Sequence, residues 1–505
     1  MSRDRRAIAL YVVVFLIATA GLVYELVCGA VASYLLGDSV THFSLVIGAY
    51  LSALGVGAYA TKLVERDVAA RFVDIEAATA LVGGLSAPVL FLCHGKGGSF
   101  SFVLWVVVGL TGTLVGMELP LLMRLLRERV KFEDLVAKAL FFDYLGALAA
   151  SVLFAMVLVP TLGMIRTSLL FGVVNATVGL ATTFVLDADA GSLRGPRARS
   201  AIVLAGLAAL FTQSDRILAA SEASLYADPV VFAAQSRYAR VVLTKGEGGV
   251  SLHLDNNLQF STADEHRYHE ALVHPAVASL GRPPVTALIG GGGDGLAARE
   301  LLRYPSIERV TLVDLDPGVT ELARRRPELV RANAGALDDR RVTVVNTDAA
   351  RFVEDDRARY DVIILDFPDP NSLSLGKLFS TRMMRATSAR LADGGVIAVQ
   401  STSPFYSRAS YSTVLATVRA AGLAALPYHV FLPSFGEWGF VLAKRGAIEA
   451  PRRLATAGLR SLDDEALRAL FVWPADLAPL PASPNTEETQ RLVRAYDREM
   501  SRYQP

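Results

Sequence analysis

Near residue 220 the chain changes the rule by which apolar and polar positions alternate. Before that point apolar residues run on almost unbroken, near 7–35, 42–61, 73–94, 101–126, 137–160, 163–186 and 200–219. A helix needs about 20 such residues to cross a bilayer, so the pattern predicts a multi-pass α-helical membrane domain of about seven spans over 1–220. The first run is too long for a cleaved leader, and further runs follow it. The seventh is the weakest: its unbroken apolar stretch is only 201–211, before Thr212, Gln213, Ser214, Asp215 and Arg216.

Basic residues mark one set of loops. Arg3, Arg5 and Arg6 precede the first run, and Lys62, Arg66 and Arg71 follow the second. Arg124, Arg127, Arg129 and Lys131 follow the fourth, and Arg194, Arg197 and Arg199 precede the seventh, whereas the alternate loops carry chiefly Lys96 and Arg166. The positive-inside bias then predicts a cell-membrane protein with its N-terminus in the cytoplasm. Seven crossings place the following residues outside the cytoplasm. A seventh run that enters the membrane without crossing leaves them inside, and the sequence leaves both open.

From about 235 short β-like runs alternate with helical stretches. Residues 241–244 and 251–254 read as an antiparallel pair about a turn at 245–249. Runs at 285–290, 309–316, 342–346, 360–366 and 396–401 follow, each separated by a helical segment, which is the pattern of an α/β doubly wound sheet of the Rossmann-like, methyltransferase type. Two more, 429–433 and 438–444, close it as an antiparallel pair. The expected division is a membrane domain over 1–220, a linker and small N-terminal antiparallel β element over 221–284, the Rossmann-like domain over 285–445, and a polar, partly helical tail over 446–505.

Composition sharpens this division. The 505 residues are 52% hydrophobic and 20% charged, with mean hydropathy +0.39, and only 32 of the 99 charged residues lie in 1–220. A hydrophobic half is therefore joined to one of ordinary globular composition, long enough to bury its own core. Fifty Lys and Arg against 49 Asp and Glu give no net field to draw nucleic acid. Two cysteines, Cys28 and Cys93, exclude a disulfide framework and a Cys-rich metal site.

The candidate chemistry starts after the run 285–290. Gly290-Gly291-Gly292-Gly293-Asp294-Gly295 precedes a helical segment, and Gly290, Gly292 and Gly295 have the GxGxxG spacing that lets a ligand approach backbone at a helix N-terminus. Twenty residues beyond Asp294, at the end of the next strand, Asp314 can hold the ribose hydroxyls of a nucleoside. A carboxylate inside the glycine turn would repel a pyrophosphate, so Asp294 favours a phosphate-free or cationic ligand. The third strand ends at Asp348-Ala349, placed to meet an adenine amino group. The fourth ends at Asp366-Phe367-Pro368-Asp369-Pro370. A cleft holding Asp294, Asp366 and Asp369 suits an amine or polycation. The competing structural readings are a tight turn that packs helix on sheet, with Asp314 as a cap, and a turn residue before Pro370 for Asp369.

Several segments together resemble the spermidine synthases, the polyamine aminopropyltransferases. They are Leu254-Asp255-Asn256-Asn257-Leu258-Gln259-Phe260-Ser261, Asp264-Glu265, Tyr268-His269-Glu270, His274-Pro275, the glycine run with Arg299-Glu300, the 310–316 strand with Pro317, and Asp366-x-x-Asp369-Pro370. The resemblance covers about 235–445. The first half, with Gly21-Leu22-Val23-Tyr24-Glu25, resembles the membrane-spanning branch of that family. It implies transfer of an aminopropyl group from decarboxylated S-adenosylmethionine, a co-substrate rather than a cofactor, to putrescine or a related amine, giving spermidine and methylthioadenosine without a metal. It implies Asp314 on the ribose, Asp348 and Ala349 at the adenine, and His269 with Gly290 and Gly292 on the donor. Asp294 would hold the donor's amine or the nucleophile, Tyr268 would line the amine pocket, and Asp366 would be the general base with Asp369 beside it. Soluble members commonly oligomerise, so a homodimer is a further expectation.

The chain departs from the family pattern in four places. Ala239 stands where a glutamine is usual, Asp314 replaces a glutamate, and Phe367-Pro368 replaces a small polar pair and is expected to narrow and dry the acceptor pocket. The segment 432–439 lacks the acceptor-binding tyrosine of soluble members and leaves Glu437 as a different candidate cation contact. Within the apolar half, Glu25, Glu118 and Asp143 sit inside predicted spans and Glu76 near an end. They read either as a polyamine-binding site or as bracing between helices, for example by pairing with Arg124 or Lys138. Two other classes of function share the pattern: an S-adenosylmethionine-dependent methyltransferase, and a non-catalytic membrane sensor or transporter of polyamines.

Overall fold

The computed structural model describes residues 3–36, 39–95, 100–127, 132–185 and 192–503; Lys96, Arg129 and Lys131 of the charge pattern lie outside them. Two compact units emerge, Met1–Asp228 and Pro229–Pro505.

The first unit is helical: α1 (Arg3–Leu36), α2 (Ser39–Ala60), α3 (Val68–Gly95), α4 (Phe100–Leu126), α5 (Phe132–Leu153), α6 (Val159–Val185), α7 (Arg194–Thr212) and α8 (Ser214–Leu225). Helix pairs α2/α4, α3/α6 and α1/α5 pack most extensively. Small residues set the closeness of approach: a Cβ on Gly112 of α4 would stand 2.9 Å from the Tyr50 carbonyl of α2. Among the described residues, five helical stretches are long and apolar enough to cross a membrane, or six if the bent pair α7–α8 is one span. The expected fifth and sixth runs form one continuous stretch, Leu135–Val185. A π-helical turn at Phe154–Leu158 joins α5 to α6, and the helical geometry breaks at Gly163 (φ 74°, ψ 174°). The weak seventh run is α7, which ends at the polar Thr212 and Gln213, where the chain bends by 60° into α8.

The second unit opens with an antiparallel sheet in the order β1 (Val230–Gln235), β2 (Arg240–Gly246), β3 (Gly249–Leu254), β4 (Asn257–Ser261). The sequence pattern had shown only the β2/β3 pair. The missing β4 follows directly on Asp255-Asn256, both with positive φ (47° and 66°), a two-residue turn that reads as a polar interruption.

A seven-stranded sheet follows: β5 (Thr286–Gly291), β6 (Arg309–Asp314), β7 (Val342–Asn346), β8 (Tyr360–Asp366), β9 (Leu391–Gln400), β10 (Ala424–Leu432) and β11 (Gly436–Lys444). Its order is β10-β11-β9-β8-β5-β6-β7. The first five strands are mutually parallel, and the β10/β11 hairpin adds antiparallel to β9. It is thus a mixed Rossmann-type sheet with the expected antiparallel closure. Its helices are α9 (Glu265–Leu280), α10 (Leu296–Leu301), α11 (Pro317–Arg325), α12 (Pro327–Asn333), α13 (Ala349–Asp355), α14 (Leu373–Gly376), α15 (Thr381–Ala389), α16 (Arg408–Ala420), α17 (Asp464–Ala469) and α18 (Arg491–Met500). Strand alternation divides the core between the two faces. Ile289, Leu312 and Ile364 belong to one hydrophobic cluster, and Leu288, Val313 and Ile363 to the other. Central strand β8 is buried from Tyr360 to Leu365 because helices cover both sides.

Candidate active site

The parallel sheet changes direction between β5 and β8. β6 lies beside β5 on one side, whereas the chain returns after β7 to place β8 on the other, and ligands of such sheets bind at that switch point beyond the carboxyl ends of the strands. Register decides what meets there. Gly291 of β5 pairs with Asp366 of β8, and Asp314 of β6 with Asn346 of β7.

The glycine turn packs directly on these acids. Gly293 could carry no side chain, because its Cβ would lie 2.7 Å from the Asp314 carboxyl carbon. Instead its N–H donates to Asp314 Oδ2 at 3.0 Å, while the Asp316 N–H donates to Oδ1 at 2.8 Å. Asp314 is therefore fixed by backbone on both oxygens and keeps lone pairs for hydroxyl donors. Asp294 accepts from the N–H of Leu296, the first residue of α10, at 2.8 Å. Gly290 has an ordinary φ and lies over the Phe367 ring, whose Cζ would be 2.9 Å from an added Cβ. That ring is buried and meets Phe379 edge-on. Phe367 is thus a core residue beneath the turn, because its position on the chain leaving β8 points it into the sheet's lower face. It does not line the acceptor side as the sequence had suggested.

Helix α9 brings up the next layer. The Tyr268 hydroxyl donates to Asp366 Oδ1 at 2.6 Å, and His269 Nε2 lies 4.0 Å from Asp366 Oδ2. His269 is positioned from behind: Nδ1 lies 2.8 Å from the Glu265 carbonyl and 3.1 Å from its carboxylate. Arg299 grips that carboxylate with two bonds of 2.9 and 2.8 Å. The network continues through Glu300, which Arg299 meets at 2.8 Å, to His274 at 3.0 Å, whose other nitrogen lies 2.7 Å from the Tyr304 hydroxyl. Such a network locks rotamers around a reacting group.

Asp369 follows on the loop after β8. Gln400 donates to it at 2.9 Å, Thr402 at 3.2 Å and Tyr496 of α18 at 2.8 Å. Thr402 adopts φ 62°, a left-handed conformation that is costly for a β-branched residue. Gln400, Thr402 and Tyr496 carried no signal in the sequence pattern. Asp348 caps α13 by accepting from Ala350 and Arg351 at 2.9 and 3.2 Å, and Lys377 meets its other oxygen at 2.5 Å, with buried Ala349 beside it. Glu437 is on β11, where its carboxylate contacts the imidazole of His429, which in turn meets the Val472 carbonyl.

The electrostatics follow from crowding acids around one imidazole. Burial raises the Asp294 carboxyl to about 6 against the pull of His269, with Asp366 adding to the rise. Burial also raises Asp314 to about 6, opposed by its two backbone donors. Asp366 and Asp369 are pushed up by burial too, the first opposed by His269 and Tyr268, the second by Tyr496, Gln400 and Thr402. Burial alone would lower His269, but the Glu265 hydrogen bond and the charges of Asp294, Glu265 and Asp366 raise it to about 9. Burial likewise works against the Glu265 charge, yet His269 and Arg299 hold its carboxyl down to about 2. The resulting site has acids arranged for a cationic ligand and one of them aimed by a tyrosine. Among the described residues no group of three or more His, Cys, Asp or Glu is arranged to hold a metal.

Comparison with known proteins places this geometry. Residues 265–449 match the family described as the spermine/spermidine synthase domain. A polyamine aminopropyltransferase of Leptospira interrogans is 43% identical over 98% of this chain and 99% of its own. Polyamine aminopropyltransferase 2 of Ralstonia nicotianae is 45% identical over 97% of each. A crystal structure of spermidine synthase in complex with the transition-state analogue AdoDATO is similar over 48% of this chain and 85% of that one, with 28% identity and a TM-score of 0.45. The likeness to the two bacterial enzymes runs through both units, and on it the chain belongs to the spermine/spermidine synthase family.

Proposed function

We propose that this chain moves the aminopropyl group of decarboxylated S-adenosylmethionine onto an aliphatic amine, with putrescine as the acceptor, and that its first unit anchors it in a lipid bilayer. The observation that carries the reaction is the Asp366 carboxylate at the end of β8, aimed by the Tyr268 hydroxyl beside Asp294 and the glycine turn. An alkylamine titrates near 10.4 like lysine, so at neutral pH only about one in a thousand is nucleophilic. Asp366 takes the proton as the amine nitrogen attacks the aminopropyl carbon. The carbon–sulfur bond breaks and the sulfonium leaves as a neutral thioether, which requires no acid. A positioned base supplies on the order of 10²–10⁴ in rate, and alignment of two cations between Asp294, Asp366 and Asp369 supplies much of the rest. Asp314 and the Asp348-Ala349 pair would hold ribose and adenine, and His269 would contact the donor.

Membrane anchoring is supported by the distribution of apolar surface. Leu51, Val56, Phe102, Trp105, Leu110, Phe141, Leu148, Met156 and Phe184, all in the first unit, are exposed; so many large apolar side chains facing outward suit lipid better than water. The N-terminus is assigned to the cytoplasm from the basic residues.

Mass spectrometry of products from detergent-purified protein tests the reaction. A gain of one aminopropyl group on putrescine with the decarboxylated donor, and none with S-adenosylmethionine, is expected; transfer of a methyl group instead sinks the reading. Asp366→Asn should lower kcat by about 10²–10⁴ while the nucleoside product still binds. Undiminished turnover in that variant removes Asp366 from the base role.

A further inference from the structure

The first unit contains charged groups that aminopropyl transfer does not use. Glu76 of α3 is 0% exposed and Glu118 of α4 is 2% exposed. Neither carboxylate oxygen of Glu76 has a hydrogen-bond partner, nor does Oε1 of Glu118. The two acids lie within each other's electrostatic field, and Tyr24 of α1 lies in the field of both. Asn175 of α6, 1% exposed, and Thr79 of α3 are placed to hydrogen-bond Glu118, and the buried Tyr24 hydroxyl has no partner. Ser200 of α7 completes the ring: a Cβ built on Gly179 would be 2.9 Å from the Glu76 Cβ and 4.0 Å from Ser200 Oγ, and that hydroxyl also lacks a partner. Five helices thus turn polar groups toward one buried place.

Pairing with Arg124 does not account for it. Arg124, the nearest basic candidate in sequence, spends its guanidinium on the Thr61 and Val64 carbonyls at 3.2 and 2.7 Å. Two adjacent buried carboxylates with unmatched oxygens are costly unless a cation or protons meet them. The groups present select among cations. Carboxylate, amide and hydroxyl oxygens offer acceptors, and the Tyr24 ring offers a π face. A primary ammonium carries three donors and no acceptor, which matches Glu76, Glu118 and the Asn175 carbonyl. The same chain, on the reading above, works on aliphatic amines.

We propose that Glu76 and Glu118, with Asn175 and Tyr24, bind the protonated amino group of an aliphatic di- or polyamine inside the helical unit, at a site separate from the transfer site. The proposal rests on the amine-acceptor reading for its ligand class, but its test does not depend on turnover. Equilibrium dialysis of labelled putrescine against the full-length chain in detergent should give two amines per chain. In Asp366→Asn/Asp369→Asn protein one should remain. Adding Glu76→Gln and Glu118→Gln should remove it, while methylthioadenosine binding, carried by the other unit, reports that the protein is still folded. If the glutamine pair does not fold, Asn175→Leu is read in its place, with binding at least about tenfold weaker. No amine bound by the Asp366→Asn/Asp369→Asn chain, binding indifferent to Glu76 and Glu118, or displacement by an equal concentration of sodium would each overturn the proposal. Failure of the transfer assay with the second amine still bound would instead count against the catalytic reading alone.

Discussion

His269 is the one imidazole among Asp294, Asp366 and Glu265, and it shares the charge of the cluster before any substrate arrives. Its value of about 9 makes it cationic at neutral pH, and Asp294 and Asp314 near 6 stay partly protonated at mildly acidic pH. The signs follow by linkage. The two carboxyls bind more protons folded than unfolded, so their contribution to stability is full near pH 4 and is lost as pH rises through about 6. His269 contributes fully below its ordinary value near 6.5, and its contribution is lost as pH rises through about 9. A bound amine replaces the protons as counter-charge. Calorimetric titration of putrescine, with methylthioadenosine present, should therefore release on the order of one proton per chain at pH 6. The release is read as a dependence of apparent enthalpy on buffer ionisation enthalpy. The same enthalpy in every buffer at pH 6 would show that the acids are already ionised and that the cluster does not trade protons for amine.

At the scale of elements, the contribution least visible from sequence is α18. Strand, glycine turn, helix and acid recur in order along 285–316, and each belongs to a local pattern, so Gly290, Asp294 and Asp314 could be named from spacing, and Asp366 from its place at the end of a strand. Tyr496 lies 127 residues from Asp369 and reaches it because Leu492 buries in the core cluster that holds Leu288 and Ile363, Val493 packs against Gly376 of α14, and Glu499 accepts from the Ala409 and Ser410 N–H groups at the start of α16. No periodicity announces a contact of that length. Phe367 differs for the opposite reason: its place between two acids suggested the pocket, whereas the chain just beyond the end of β8 turns its ring into the core. The tail is held at the other end too, where Glu270 accepts from the N–H groups of Arg460, Ser461 and Leu462 at 2.7, 2.8 and 3.1 Å. It thus ties the helix bearing Tyr268 and His269 to its own start, and the Asp369 loop to its end. Where soluble relatives are expected to place a tyrosine in the segment now at 432–439, Tyr496 supplies a hydroxyl from a different direction. Tyr496→Phe should raise KM for the amine about tenfold, the value of one lost hydrogen bond to a charged group. KM for the donor should stay constant, and the acid limb of the amine profile should move to higher pH because Asp369 loses a donor that holds it down. Equal losses for both substrates would mean that α18 acts only as scaffold.

At the scale of the whole molecule, the proposal that the first unit spans a bilayer raises the question of the face from which the chain leaves it. The count of apolar runs could not decide it, because α7 is short and polar at both ends. Side-chain contacts locate those ends. Near its start Arg199 binds Asp74 at 2.7–2.9 Å, and Arg197 reaches Thr183 at 2.9 Å, which puts the start of α7 with the start of α3 and the end of α6. Just past its end, Asp215 meets Arg166 near the start of α6 at 2.7 and 2.6 Å, and Ser221 reaches the Phe91 carbonyl near the end of α3 at 3.2 Å. Helix α7 therefore runs the length of the bundle antiparallel to α6. Its 19 residues span about 28 Å at 1.5 Å each, close to the roughly 30 Å of hydrocarbon, with Arg194, Arg197 and Arg199 able to snorkel at one end. If the break at Gly163 within α6 divides Leu135–Val185 into two crossings, the expected topology is seven crossings, and the residues after Leu225 emerge opposite the N-terminus. Among the described residues, Arg124, Arg197 and Arg199 sit at the ends of α2, α4 and α6 and the starts of α3 and α7, the face that the positive-inside bias assigns to the cytoplasm. Paired reporter fusions at the N-terminus and after Leu225 decide the matter, since alkaline phosphatase folds actively only outside the cytoplasm and a green fluorescent protein exported in unfolded form only inside. Opposite responses at the two positions are expected. The same response at both would make α7–α8 re-entrant, would leave the second unit on the N-terminal side, and would mean that the Arg166–Asp215 pair closes a loop within the bundle rather than marking its far end.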